Sequence, residues 1–445
     1  MKQLLLTTLF LCSALVSAQF GPVTIIDDTA SSVGIKKIVT GDLNNDGFKD
    51  VVVAQAYNID NVSYYLNNGE GGFSEKVVID SDIDDPVYVT IADFNNDNWQ
   101  DVATITQNNG EVFVYLNNNG SFSDQITVDE GIPLGNALVS ADFDNNGWND
   151  IVAIGQHSID YYRNVDGIFT KEHILTTDTS PNVLECMYIE VADMNDDGHL
   201  DLVTSETLGG VIYFNNGNGI FTPQVFTTEG FISRALHVFD ANNDGFKDIV
   251  IHLTPGPLNL YLNDGTGTMT FHSTIFNDNA LIKSIEAVDM DNDGFLDIYT
   301  AFENKARAYL NSGTATFSPE TIVYEDEAIF INEVAIDDLD NDGISEYIWS
   351  GVNNTIAYQK NTTLGNKSFK NNTISVYPNP GTDKITIVTD SNFDGNIIFY
   401  TLLGQQVINT NSITIDVSGL TKGIYVVEVS DKNTNAKNTR KFIKE

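Results

Sequence analysis

The 445-residue chain reads as all-β: a seven-bladed β-propeller followed by a small antiparallel β-sandwich domain. Three observations carry that expectation. A nine-residue acidic motif recurs seven times, with starts 47 to 51 residues apart, the period of a propeller or solenoid array. Short β-branched runs flank the copies, as they do in buried strands. The two ends of the array hold complementary parts of one repeat, so the array is expected to close on itself.

Residues 1–18, MKQLLLTTLFLCSALVSA, combine the positive Lys2, an apolar run and the small residues Val16-Ser17-Ala18 before Gln19. This is the pattern of a secretory signal peptide. The run is short for a membrane anchor, and Leu11 before Cys12 does not fit a lipoprotein signal. After cleavage Cys186 is the single cysteine left, so no internal disulfide holds the exported fold. No later stretch is long and apolar enough to span a membrane.

Residues 19–360 form the expected propeller. The motif reads DLNNDGFKD from Asp42, DFNNDNWQD from Asp93, DFDNNGWND from Asp142, DMNDDGHLD from Asp193, DANNDGFKD from Asp240, DMDNDGFLD from Asp289 and DLDNDGISE from Asp338. A strand follows each copy, such as VVVA from Val51. A second strand comes next, ending in turns such as YYLNNG from Tyr64 and LYLNDG from Leu260. Asn-Gly and Asp-Gly tolerate the positive φ of tight hairpin turns. A further strand starts just past the turn, often at a phenylalanine such as Phe73 or Phe221. About four short antiparallel strands per repeat make one propeller blade. The last repeat stops after IAYQK at Lys360, without its outer strand, and FGPVTIID from Phe20 is expected to supply it. A ring closed in this way leaves no array end to cap; an open solenoid is the alternative.

The acidic loops carry the chemistry. Positions 1, 3, 5 and 9 are the candidate metal ligands. They are Asp42, Asn44, Asp46 and Asp50 in the first loop, and Asp93, Asn95, Asp97 and Asp101 in the second. The third and fourth have Asp142, Asp144, Asn146 and Asp150, then Asp193, Asn195, Asp197 and Asp201. The fifth and sixth have Asp240, Asn242, Asp244 and Asp248, then Asp289, Asp291, Asp293 and Asp297. The seventh has Asp338, Asp340, Asp342 and Glu346. Of these side chains 23 are carboxylates, and packing three or four into one turn without a cation is costly in like-charge repulsion. An oxygen cage suits a hard cation, and calcium accepts irregular geometry better than magnesium. Up to seven structural Ca2+ ions are therefore expected. Asn98 replaces glycine at position 6 of the second loop and is the best non-glycine choice for a left-handed backbone. Glu346 at position 9 of the seventh is expected to alter geometry more than charge. Metal that binds only the folded ring would stabilise it.

A polar linker, residues 361–373, leads to a second domain, residues 374–445. Its short alternating strands are broken by Pro378, Pro380, Gly395, Gly404 and Gly423, as in a small antiparallel sandwich.

The seven loops with their flanking strands resemble the FG-GAP/VCBS repeat family, which includes the propeller of integrin α chains. The resemblance covers Gly21 to Lys360. It implies calcium in the loops and a ring that serves as a recognition or adhesion platform. Some relatives act on polysaccharides or lipids. The C-terminal stretch, with ISVYPNPGTDKITI from Ile374, the LLGQ turn at Gly404, KGIY at Gly423 and the basic tail RKFIKE, resembles the type A sorting domain of the Bacteroidetes type IX secretion system. That resemblance implies the type IX machinery as a partner. It also implies a cut in the linker and a secreted protein or one attached to the outer cell surface.

The formal net charge of −40 repels phosphate backbones and so excludes nucleic acid as a natural partner. No catalytic constellation is legible. The six histidines, at 157, 173, 199, 237, 252 and 272, show no metal-ligand spacing. No nucleophile-elbow motif surrounds Ser205. His199 occupies position 7 of an acidic loop, where its backbone alone is needed, and His237 and His252 read as packing or surface residues. Irregular inter-blade segments, including one with Asn182, Tyr188 and Glu190, and the Pro255-Gly256-Pro257 turn mark a candidate binding face. Tyr57, Trp99 and Trp148 are candidates for stacking on sugars, although Trp99 and Trp148 share position 7 with Phe48, Phe246 and Phe295, which argues for blade packing. The resulting expectation is an exported calcium-binding recognition or adhesion module whose ligand is a glycan or a protein. The alternatives are a polysaccharide-directed hydrolase or lyase on the same scaffold, and an architectural surface-layer component.

Overall fold

A computed structural model of the chain describes residues 20–444, apart from 29–33, 57–59, 133, 157, 177–185, 207–208, 228–232, 254–255, 278–281, 326–330, 352–354, 363–374, 378, 389–394, 402–405 and 432–436. The signal stretch 1–18, Tyr57, His157, Asn182, Pro255, Pro378, Gly404 and nearly all of the linker lie outside the described residues. The chain divides into two compact units, the second of which contains Leu364–Glu445.

The first unit holds seven four-stranded antiparallel sheets. In sheet 1 the strands Ile35–Gly41, Asp50–Gln55, Asn61–Tyr65 and Val77–Asp80 follow one another in space as in sequence. The next five sheets repeat this order, with first strands Pro86–Ala92, Ala137–Ala141, Cys186–Ala192, Ser233–Phe239 and Ile282–Val288. Sheet 7 takes three strands from Ile331–Asp337, Glu346–Gly351 and Ile356–Asn361 and its fourth from Phe20–Asp27. Val23 faces Gln359 and Ile25 faces Ala357 across this closure. First strands of successive sheets pack against one another all the way round, and that of sheet 7 packs against that of sheet 1. The fold is a β-propeller closed by the N-terminal strand, as the incomplete last repeat predicts.

The second strand of each sheet explains the cohesion. DVVVAQ in sheet 1 is buried along its whole length. Its side chains alternate between faces, as the period of two demands. Val52 and Ala54 join a core with Val89, Val102 and Phe113 of sheet 2. Val51 and Val53 join one with Ile348 and Tyr358 of sheet 7. A strand covered on both faces reads as a continuous apolar run, which is how these strands appear in the sequence.

The second unit contains a three-stranded sheet (Ser375–Tyr377, Lys384–Val388, Thr414–Asp416) and a four-stranded one ordered Gln406–Thr410, Gly395–Thr401, Gly423–Asp431, Lys437–Lys444. Ile385, Ile397, Phe399, Val427 and Phe442 share one core. Among the described residues no helix is long and apolar enough to cross a membrane.

Candidate metal-binding loops and the central channel

Each acidic loop joins the first strand of a sheet to the second. In the first loop both Asp42 oxygens accept backbone N–H groups, from Asp46 at 3.1 Å and Gly47 at 2.8 Å. Asp46 accepts from Phe48 N–H at 2.9 Å. The backbone is left-handed at position 6, from Gly47 (φ 89°) to Gly343 (φ 87°), and Asn98 adopts it at φ 69°. It is also left-handed at position 4 in all seven loops, where Asn45, Asn96, Asn145, Asp196, Asn243, Asn292 and Asn341 lie between 55° and 60°. Sequence reading recognised position 6 and missed position 4. The signal was there, since short Asn and Asp side chains are the non-glycine residues that tolerate this region.

The position-9 carboxylate has a second task. Asp50 accepts Leu43 N–H at 2.9 Å with one oxygen and Asn67 N–H at 2.8 Å with the other. Asp101, Asp150, Asp201, Asp248 and Asp297 make the same pair of bonds. Glu346, despite its longer arm, still accepts Leu339 N–H at 2.8 Å. This group pins both ends of its loop and keeps its remaining lone pairs for an ion. Burial pushes its acidity weaker, to about 6 in Asp50 and about 7 in Asp297, with the backbone donors opposing.

The asparagine that pairs with it closes the ring. Asn67 Nδ2 donates 2.7 Å to Leu339 O, in the loop of the preceding sheet. Asn117, Asn164, Asn215, Asn263, Asn311 and Asn361 donate likewise to Leu43, Phe94, Phe143, Met194, Ala241 and Met290, at 2.7 to 2.9 Å. The sequence suggests a simple turn residue here. Its recurrence at Asn164 and Asn361, where no Asn-Gly turn follows, was the clue to an inter-blade clamp.

The loops differ in charge. Among the described residues three groups of carboxylates lie close enough to share one ion: Asp142, Asp144 and Asp150; Asp289, Asp291 and Asp297; Asp338, Asp340 and Glu346. These are the loops with Asp rather than Asn at position 3. In the third loop Arg163 pairs with Asp144, and in the seventh Lys360 pairs with Asp340. Both bases stand one residue before the clamp asparagine, where the other blades have Leu66, Leu116, Phe214, Leu262 and Leu310. The sixth loop has four carboxylates and Leu310 at that place, and Asp291 Oδ1 is buried without a hydrogen-bond partner. That donor-free oxygen fits a cation.

The first strands surround the axis of the ring, and their side chains bring distant charges together. Lys37 of sheet 1 pairs with Glu333 of sheet 7. Its ammonium lies 5.0 Å from the Tyr88 ring centre and 5.7 Å from that of Tyr188, in sheets 2 and 4. One lysine thus spans the channel. Burial opposes its charge, but Glu333 and the tyrosines hold its pKa well above the ordinary value. Next to it His237 Nδ1 lies 3.0 Å from Glu190 Oε1. Burial works against the imidazolium, yet Glu190 raises its pKa to about 9. Burial raises Glu286 to about 7, with His237 and Lys37 pulling the other way. His237 is therefore part of an ionic channel, not a simple packing residue.

Other sequence candidates separate. His252 is buried and stacks on Phe276. His199 uses its side chain after all, 3.1 Å from Asn145 Nδ2 in the neighbouring loop. His173 pairs with the buried Asp160, but Ser158 donates to the carboxylate rather than to the imidazole, so no nucleophile relay forms. Phe48, His199, Phe246 and Phe295 cover Gly69, Gly217, Gly265 and Gly313, where a Cβ would strike the ring. The three phenylalanines pack as the blade-packing reading has it, and His199, read as a backbone-only residue, packs in the same way.

A closed β-propeller with one acidic loop per sheet defines the class of this molecule, and the comparisons give the family. Six overlapping stretches spanning residues 42–349 match the FG-GAP-like repeat. Residues 375–445 match the secretion system C-terminal sorting domain. The chain belongs to the FG-GAP-like repeat family and carries a type IX sorting domain, which marks it for export. No curated protein matches it in sequence. Similar solved structures include an Agrocybe aegerita lectin described as recognising non-reducing terminal N-acetylglucosamine (21% identity, 67% of this chain and 81% of that one, TM-score 0.51). BBS1N, solved in complex with ARL6DN, matches at 11% identity over 78% of this chain and 99% of its own, TM-score 0.55. PorZ, a surface component of the type IX system of Porphyromonas gingivalis, matches at 14% identity over 89% of this chain and 58% of its own, TM-score 0.50. At these identities the likeness shows the fold.

Proposed function

We propose that this chain is a calcium-stiffened recognition or adhesion module, exported and then released or held at the outer cell surface, with a glycan as its ligand. Residues 1–18 serve as the signal peptide, 19–360 as the propeller, 361–373 as the linker and 374–445 as the sorting domain. The observation that carries the reading is the ring itself: seven acidic loops, clamped blade to blade, on a chain bearing a secretion sorting domain. The side chains at positions 1, 3, 5 and 9 would hold the ions. Calcium would supply charge neutralisation and rigidity there, not reaction chemistry. The similar lectin, described as recognising non-reducing terminal N-acetylglucosamine, supports the glycan choice.

A glycan array probed with the whole chain, in calcium and in chelator, tests this. Reproducible binding in calcium is the expected result. A blank array with folded protein would reject glycan recognition for the sugars sampled and turn attention to a protein partner.

A further inference from the structure

The seven copies of the motif act as controls for one another, and the second loop departs from the other six. Its position 6 carries the Asn98 side chain where every other loop has glycine. Its position 7 is Trp99. The turn that would receive this ring has Asn119 (φ 56°) where blades 1, 4, 5 and 6 have the covered glycine; blade 3, with Trp148 at position 7, shares this feature through Asp166 (φ 57°), so the second loop is set apart by Asn98 and by its cavity. The Cβ of Asn119 denies Trp99 the seat that Phe48 takes on Gly69. Trp99 is half-buried, and among the described residues no aromatic ring packs on it. A cavity of about 520 Å³ opens beside it, lined by Trp99 together with Asn45, Asn98, Gln100 and Asn149. The Gln100 side chain closes one wall, with its Oε1 buried against Gly41 and without a hydrogen-bond partner. A second cavity, of about 450 Å³, lies on the other side of the same loop, against Asn95, Asp97 and Phe122.

We infer that the Trp99 cavity is a subsite for a neutral saccharide, resting on the glycan reading above. The indole supplies a flat apolar face for the C–H side of a sugar ring, as aromatic side chains with a polar edge do at binding surfaces. The amides of Asn45, Asn98 and Asn149 supply donors and acceptors for hydroxyls. The carboxylates at the wall, Asp42 and Asp93, already accept backbone N–H groups with both oxygens. No basic side chain lines the cavity. An acidic sugar, a sulfated glycan or a phosphate is therefore disfavoured. A peptide anchor would need a deep apolar pocket, whereas this cavity is open and mostly polar.

The test uses the whole chain in calcium, with Trp148→Phe as background. Trp349 is fully buried, so the fluorescence change on adding sugar reports Trp99. The probes are linear oligomers of N-acetylglucosamine and of mannose, with polygalacturonate as the acidic control. A neutral oligomer is expected to shift the emission. Trp99→Ala should weaken its binding by about tenfold or more, and Asn98→Gly, which restores the consensus of the ring, by about two- to tenfold. Both should melt like the parent. If neither variant loses affinity, the subsite is overturned while glycan recognition stands. If the folded parent binds no neutral oligomer, the subsite is overturned, and glycan recognition is left to the array. Tighter binding of polygalacturonate would overturn the neutral assignment.

Discussion

The sixth and seventh loops contain the same four carboxylate positions, yet they are different electrostatic objects. In the seventh, Lys360 reaches from the end of the third strand and pairs with Asp340. In the sixth, Leu310 holds the equivalent place and Asp291 keeps a buried, donor-free oxygen. The third loop follows the seventh, with Arg163 on Asp144. Where position 3 is Asn, in loops one, two, four and five, the residue before the clamp asparagine is apolar. The repeat thus sets a base beside a fourth carboxylate in the seventh blade and leaves the fourth carboxylate of the sixth without one, while the third pairs its base with a loop of three carboxylates. One motif yields loops of graded charge balance.

The broadest attempt to break this comparison is calcium removal. Each site held at a hundredfold its Kd adds about 2.7 kcal/mol to the folded ring. Calorimetry in chelator should therefore show a melting temperature lower by about 5 °C or more. An unchanged melt would remove calcium from the account. Single substitutions sharpen the comparison next. Asp291→Asn should weaken the tightest calcium step about tenfold in a calorimetric titration, ~1.4 kcal/mol. Lys360→Gln and Arg163→Gln should strengthen binding at their own loops, by about three- to tenfold at low salt and less at high salt. Equal effects of Asp291→Asn and Asp340→Asn would mean that the bases do not matter.

The channel extends the contrast from rim charges to enclosed ones. Lys37, His237, Glu190, Glu286, Glu333, Tyr88 and Tyr188 face one another there. His237, raised to about 9, stabilises the fold fully below about 6.5 and loses that contribution as pH climbs through 9. Glu286, raised to about 7, holds its proton in the fold where the unfolded chain has released it. It therefore disfavours the folded state progressively from about 4.5 to 7. Both slopes have one sign: stability should fall as pH rises from mildly acidic to alkaline. Glu286→Gln should make the lower part of the profile shallower, since the position-9 carboxylates such as Asp50 and Asp297 titrate in the same range, and His237→Asn should flatten the upper part. A profile that rises with pH would show the channel pairs misread. The side chain of His237 is 20% exposed, so water weakens the effect. Smallest is the direct loop-to-loop bond from Asn96 Nδ2 to Gly147 O, 3.0 Å. Asn96→Gly keeps the left-handed backbone and removes that bond alone, at a cost of about 0.5 to 1 kcal/mol in chemical denaturation.

Much of this molecule was legible in its sequence because the information is local and repeated. The motif fixes a loop whose bonds run between residues two to seven apart, and seven copies fix seven sheets. The truncated last repeat predicts closure, since a strand missing at one end and spare at the other can pair in one way. Position 4 and the clamp asparagines were present in the pattern but went unread, because Asn is common in loops for several physical reasons.

What tertiary structure alone decided lies between residues that the sequence keeps far apart. Lys37 meets Glu333 across 296 positions because the ring closes. Arg163 and Lys360 each pair with one carboxylate of their loops because the third strand ends beside the acidic turn. Trp99 and Phe48 share position 7, but the turn opposite Trp99 has Asn119, with a Cβ, where the turn under Phe48 has Gly69. Backbone geometry follows from contiguous residue types. Charge balance and open surface depend on which side chains the closed ring brings face to face.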